Sequence, residues 1–217
     1  TAVEATRIGA FGYLEKPIPL QMLLNTVQKA LRSRLSQTAP TLSLSKLGKG
    51  PLITDLKKRL ENISSLKTPL LIIGEQGSGI ELCAHFLHCS NTPWVAPDTF
   101  TLLSDSPYDL LEQAKNGLLF LKEIGSLNKT EQRGLLKLIS KLDKYNVRLV
   151  CASSLSLAEL TAEGKYEPKL YEILSGLCIN VPALREHKED IPELANQILL
   201  QCIESGSTTI QQFNTAA

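Results

Sequence analysis

No apolar run in this chain of 217 residues approaches the ~18 residues that a membrane span needs. The formal net charge is only +1, so no global field points to nucleic acid or to an anionic membrane surface. The first residues carry no signal-peptide pattern. They open on a helical pattern, from which the chain is expected to be a fragment of a longer protein. The cysteines Cys83, Cys89, Cys151, Cys178 and Cys202 are scattered and odd in number. That disfavours a disulfide framework and leads us to expect reduced thiols and a cytoplasmic location. Apolar residues make up 43% and charged residues 21%, an ordinary globular composition.

One more residue is missing at a specific place. Leu70-Leu71-Ile72-Ile73 is an apolar run of strand length. The glycine-rich segment Gly74-Glu75-Gln76-Gly77-Ser78-Gly79 follows, and then a helical pattern from Glu81 to His88. Strand, loop of backbone N–H groups and helix start are the context of a phosphate-binding loop. The P-loop pattern places a lysine after its last glycine, where the ammonium reaches the β- and γ-phosphates. Ile80 stands there.

Apolar periodicity organises the rest of the chain. Residues 20–35 read as a helix, and the Ser-, Thr- and Pro-rich stretch 36–45 as a linker. Leu56, Leu60, Ile63 and Leu66 stripe a helix from about Thr54, whose hydroxyl is an N-cap candidate. Residues 92–107, with three prolines, read as irregular. Helices are expected over 108–115, 129–142, 170–174 and from Asp190-Ile191-Pro192 to Ile203. Strands are expected at 118–121, 147–152 and 178–181. Strands alternating with helices predict an α/β fold with a parallel sheet flanked by helices.

Several of these segments, in order, resemble the AAA+ domain of NtrC-type, sigma-54-dependent bacterial response regulators. The glycine-rich run resembles that family's Walker A. Gly117-Leu118-Leu119-Phe120-Leu121-Lys122-Glu123-Ile124-Gly125 resembles its Walker B strand. Arg148-Leu149-Val150-Cys151-Ala152-Ser153-Ser154-Leu155 resembles its sensor I strand. The run from Val181 to Pro192 resembles the approach to its helical lid. Ile8 to Pro17, ending on Lys16-Pro17, resembles the end of a receiver domain. The resemblance implies three parts: a receiver remnant with linker helix over 1–36, an AAA+ α/β core over 37–187, and the beginning of a lid over 188–217. Lys16 would be a relic of the receiver's phosphoryl contact.

The departures from the family fall on chemistry. Lys122 stands where the family has the aspartate that holds Mg²⁺, and a cation does not ligate a cation. Glu123 matches the catalytic glutamate, left as an inactive relic. Lys122 either reaches the loop and replaces part of the lost charge at Ile80, or forms a salt bridge with Glu123, Glu75 or Glu81. Ser154 stands at the sensor I asparagine. Glu167 and Ile173 stand at the arginine fingers. Arg185 lies near the adenine pocket or caps a neighbouring helix. Between Leu82 and Asn116 the chain is shorter than the family and lacks the Gly-Ala-Phe-Thr-Gly-Ala loop that touches sigma-54.

A degenerate nucleotide site is therefore expected from Gly74, Glu75, Gln76, Gly77, Ser78, Gly79, Ile80, Glu81, Lys122, Ser154 and Arg185. No cofactor is required on this reading; ATP or ADP would bind weakly, and Mg²⁺ is not expected. Cys83, His85, His88 and Cys89 share one helix, but no second ligand pair makes them a metal site. The expected protein is a two-component transcriptional regulator whose AAA+ domain is hydrolysis-dead and acts as a scaffold. It would form homo-oligomers, touch DNA only through a segment outside this chain, and make no direct sigma-54 contact. The alternatives are an ATP-binding activator with slow or conditional ATPase activity, and a nucleotide sensor that does not hydrolyse.

Overall fold

The computed structural model describes residues 44–206 together with Ile210 and Phe213. The expected receiver remnant, its Lys16 and the linker helix lie outside the described residues. The described residues belong to one compact unit.

Five strands form the sheet: β1 (Leu70–Ile73), β2 (Trp94–Val95), β3 (Leu118–Leu121), β4 (Arg148–Ser153) and β5 (Cys178–Asn180). Their order is β2-β3-β4-β1-β5. Every pairing is parallel, with Leu70 opposite Val150, Leu71 opposite Cys178 and Phe120 opposite Val150. Nine helices are described: α1 (Pro51–Ile63), α2 (Ile80–Phe86), α3 (Thr101–Asp105), α4 (Pro107–Gln113), α5 (Lys129–Ile139), α6 (Leu142–Tyr145), α7 (Leu157–Ala162), α8 (Pro168–Ser175) and α9 (Ile191–Glu204). No helix among the described residues is long and apolar enough to cross a membrane.

Parallel strands covered on both faces read as continuous apolar runs, as 70–73 and 118–121 do. Their side chains alternate between faces. Leu71, Leu119, Leu121, Leu149 and Cys151 point into one core cluster, with Leu103, Leu110, Leu135, Leu138, Leu170 and Leu174 from the helices. Leu70, Ile72, Leu118, Phe120, Val150 and Ala152 point into the other, with Ile53, Leu56 and Leu60 of α1 and Cys83 and Ala84 of α2. Burial pushes the Cys83 thiol up to about 12 and raises that of Cys151 further.

The helix boundaries correct several expectations. α1 begins at Pro51 rather than near Thr54, with Gly50 as its N-cap. Proline suits the first helical position because the N–H it lacks is unpaired there anyway. Thr54 is already inside the helix, its N–H bonded to the Gly50 carbonyl at 2.9 Å. Leu66 lies past the helix end and is exposed. The guanidinium of Arg148 instead closes that end, donating to the carbonyls of Ile63 and Ser64. Residues 92–107 are not wholly irregular: they contain β2 and α3. The helix expected over 129–142 stops at Ile139 and is followed by the separate α6. Its start is fixed by a capping box, with Asn128 accepting from the N–H groups of Thr130 and Glu131 and Glu131 reaching back to the Asn128 N–H.

One close approach sets the helical layer. A Cβ on Gly134 of α5 would lie 1.7 Å from the carbonyl oxygen of Leu103 in α3. Helix propensity alone favours alanine over glycine there by roughly 0.5–1 kcal/mol. Forcing the two backbones apart costs about 1–3 kcal/mol, so the clash wins. Gly134→Ala is expected to lower stability by about 1–3 kcal/mol in urea unfolding. Gly176→Ala, where the nearest atom is 3.4 Å away and the backbone is right-handed helical, is expected to change it by less than about 0.5 kcal/mol.

Candidate functional site

The site forms at the carboxyl ends of β1, β3 and β4. β1 ends at Ile73 and the chain turns through Gly74–Gly79 into α2. Gly74 N–H is tied to the Ser153 carbonyl of β4 at 3.3 Å, and Ser78 N–H closes onto the Glu75 carbonyl at 3.1 Å. Gly79 has φ +93°, and a Cβ on it would lie 2.0 Å from a methyl of Leu47. Both the left-handed backbone and the Leu47 methyl seated over it require glycine. Ser78 Oγ is enclosed and has no hydrogen-bond partner among the described residues.

Ile80, where the P-loop pattern has lysine, is half-buried and packs against the α1–α2 core cluster. The next position, where the general pattern has a metal-binding hydroxyl, is Glu81. Its Oε2 lies 2.9 Å from Lys122 Nζ at the end of β3. Of the two readings of Lys122, the geometry shows the salt bridge, and Glu81 is the partner. The ammonium also lies 5.8 Å from the centre of the Phe120 ring. Phe120 in turn packs on Trp94, which stacks on His85 at 3.7 Å. Burial holds the His85 pKa below its ordinary value.

A second ion pair closes the loop's other side. Arg185 donates to both carboxylate oxygens of Glu75, at 2.6 and 2.7 Å. These hydrogen bonds hold the Glu75 carboxyl below the usual range and raise the Arg185 guanidinium. Arg185, expected near the adenine pocket or as a helix cap, here ties the loop to the segment after β5.

The structure also brings Glu123 and Ser154 together. Glu123 holds a left-handed backbone, φ +51°. Its Oε2 accepts the Ser154 hydroxyl at 2.7 Å and the Ser154 N–H at 3.1 Å. Glu167 is held differently: its N–H donates to buried Gln132 at 2.8 Å, while Gln132 Nε2 donates to the carbonyls of Leu127 and Lys165. Ile173 is half-buried on α8.

Beside the loop lies a cleft of about 250 Å³ between Leu47, Gly77, Ser78, Gly79 and Leu82 on one wall and Leu184, Leu194 and Ile198 on the other. Lys46 is its one lining residue with a fixed positive charge. Gln76 is exposed on the loop. Cys83 is buried, His85 is stacked and His88 Nε2 lies 2.9 Å from the Thr92 carbonyl. No group of three or more His, Cys, Asp or Glu able to hold a metal ion occurs among the described residues.

The residue that the sequence did not reveal is Asp190. It is buried, and its carboxylate accepts the N–H groups of Lys49 at 2.7 Å and Gly50 at 2.9 Å, with His187 Nδ1 at 3.1 Å. It fastens the start of α9 to the turn before α1. The partners are 140 residues apart, so no local pattern signals them; only the polar run before a helix marks the position.

A parallel sheet ordered in this way, with a glycine loop between β1 and α2, defines a P-loop NTPase core of the AAA+ kind. Two solved structures share it: NtrX from Brucella abortus in complex with ATP, with TM-score 0.70 and 24% identity over 99% of this chain and 54% of that one, and the P-loop NTPase domain of the sigma-54 transport activator from E. coli, with TM-score 0.50 and 24% identity over 63% of this chain and 99% of that one. Residues 47–184 match the Sigma-54 interaction domain family, and the chain belongs to it. It is 30% identical over 255 aligned positions to the transcriptional regulatory protein ZraR of Klebsiella oxytoca, spanning 100% of this chain and 58% of that protein. It is 31% identical to the response regulator protein PilR of Pseudomonas aeruginosa, spanning 92% and 52%. The chain thus covers little more than half the length of these relatives.

The Asp190 carboxyl is held below the usual carboxylate range, chiefly by the Lys49 N–H and further by Gly50 and His187. A lowered folded-state pKa means that the contact stabilises fully above the unfolded value of about 3.9 and is lost as pH falls through the folded value. Asp190→Ala is expected to cost about 1–3 kcal/mol at neutral pH by stranding buried N–H donors. The gap in Tm between wild type and variant should narrow below about pH 4, read by circular dichroism melts across pH.

Proposed function

We propose that this chain is part of a two-component transcriptional regulator of the sigma-54 activator type, and that its AAA+ domain is a scaffold that does not hydrolyse ATP. The carrying observation is the Lys122–Glu81 ion pair, 2.9 Å, at the end of β3. A metal ion bridging phosphates needs oxygen ligands there. An ammonium and the one carboxylate that it neutralises do not provide them, so Mg²⁺ does not fit this position. Ile80 removes the lysine that would hold the phosphates, and Glu167 and Ile173 leave no guanidinium at the finger positions.

The resemblance assigns 1–36 to a receiver remnant with its linker helix, 37–187 to the core and 188–217 to the start of a lid. The ZraR alignment is longer than the chain itself, so that relative carries residues that this one lacks, consistent with loss of the sigma-54 contact loop. Between α2 and α4 the chain has only β2 and the five-residue α3. On this reading the domain makes no direct sigma-54 contact. DNA would be reached through a segment outside this chain, and the domain would act by homo-oligomerisation. Leu200 and Ile203, one turn apart on α9 and 58% and 36% exposed, support an apolar contact surface for a second copy.

A second reading is a nucleotide sensor that binds without hydrolysis. It is favoured by the cleft beside the loop, whose apolar walls and ~250 Å³ suit a flat base. Retained Glu123, hydrogen-bonded to Ser154, is the observation that favours a slow ATPase.

Calorimetry with ATP and ADP, with and without Mg²⁺, and a phosphate-release assay separate these readings. The scaffold predicts no phosphate release above buffer and no gain in affinity from Mg²⁺. The double substitution Ile80→Lys with Lys122→Asp is expected to create Mg²⁺-dependent binding at least tenfold tighter than wild type, the scale of about 1.4 kcal/mol or more for one restored charge contact. Mg²⁺-dependent hydrolysis by the wild type would overturn the proposal.

A further inference from the structure

The glycine loop keeps its shape but has no free cation of its own. Three cations approach it from other elements: Lys46 lines the cleft beside it, and the other two are each held by an acid of the loop region, Arg185 by Glu75 through two hydrogen bonds and Lys122 by Glu81 through one. Lys122 and Glu81 are each about half exposed, 50% and 51%. Neither charge is desolvated, so the pair is weak and exchanges readily for another anion. Arg185 is engaged as a bidentate fork, the stronger arrangement, and is the less available of the two. Ile80 contributes no charge.

We infer that Glu81 is an internal competitor for polyphosphate: its carboxylate occupies Lys122, the cation that a polyphosphate at the loop would otherwise engage. This rests on the reading that the metal position is lost, and it names the residue that keeps the remaining anion site closed. An incoming polyphosphate displaces Glu81 and takes the ammonium, with loop N–H groups on its other oxygens. Binding of this kind is metal-independent. Excess Mg²⁺ opposes it, because the ion draws charge from the polyphosphate and is itself repelled by Lys122.

The test titrates inorganic tripolyphosphate into the 217-residue chain without metal at fixed ionic strength. Calorimetry gives the affinity. Trp94 fluorescence reports locally, because Trp94 is the chain's one tryptophan and packs on Phe120, over which Lys122 lies. Glu81→Gln is expected to tighten binding about fivefold, the upper range for releasing an exposed pair, and to change the Trp94 signal on saturation. Lys122→Met should weaken wild-type binding, and Glu81→Gln with Lys122→Met should show none of the gain. Excess Mg²⁺ should weaken binding to Glu81→Gln. An unchanged affinity in Glu81→Gln overturns the inference. A gain that survives in the double variant also overturns it, since that would be relief of repulsion with no part for Lys122. Melting curves confirm that each variant folds, and Glu81→Thr replaces any Glu81→Gln that does not. ATP hydrolysis by the wild type would sink the scaffold; this inference fails or stands on the cycle of wild type and three variants alone.

Discussion

β1 lies between β4 and β5 with both of its faces covered, and this two-sided burial fixes where chemistry can occur. Leu70 and Ile72 fill one core, and Leu71 fills the other. A one-residue slip in register would exchange the two sets and place every side chain against the wrong partners. The register therefore holds, and with it the level at which β1, β3 and β4 end. Ile73 and Ser153 finish opposite each other while Leu121 stops two residues earlier, opposite Cys151, so Lys122 and Glu123 rise toward the rim that Gly74 and Ser154 share. The loop, the ion pair with Glu81 and the Glu123–Ser154 contact all follow from that alignment.

On that rim, the charge sits away from the position after Gly79. Ile80 is apolar and packs against the core, while the end of β3 carries the cation Lys122. The acid at Glu81 is satisfied by Lys122 from the end of β3, two strands over from β1. Glu75 is satisfied by Arg185 from beyond β5. Each exposed pair contributes little stability by itself. Their effect is organisational: two separate segments, the end of β3 and the stretch after β5, are drawn onto the loop, whose geometry depends on Gly79 and the Leu47 methyl above it.

Much of this was legible in the sequence because burial leaves long, simple traces. The four-residue apolar runs at 70–73 and 118–121 appear as strands with those bounds, and the glycine loop falls where its spacing places it. β2 was not legible, since two residues, Trp94 and Val95, after a proline carry no period. Thr54 looked like a cap because its hydroxyl chemistry is right, but the proline at 51 had already started the helix. Arg185 could not be assigned, because its partner Glu75 is set by tertiary placement 110 residues away. Asp190 was hidden for the same reason. Glu81 was one of three acids open to Lys122, and only the sheet order, which seats β3 next to β4 and β4 next to β1, decides among them.

The two core thiols give the molecule a built-in clock. Cys83 follows the glycine loop on α2, and Cys151 lies in the middle of β4; both are fully enclosed and held in the unreactive thiol form. Only the thiolate attacks an alkylating reagent. Capture at either position must therefore wait for its surroundings to part, and the two waiting times need not agree. Labelling at Cys83 counts excursions of the loop and its helix, and labelling at Cys151 counts openings of the sheet itself. The ratio of the two rates measures how far the phosphate loop breathes independently of the framework that carries it.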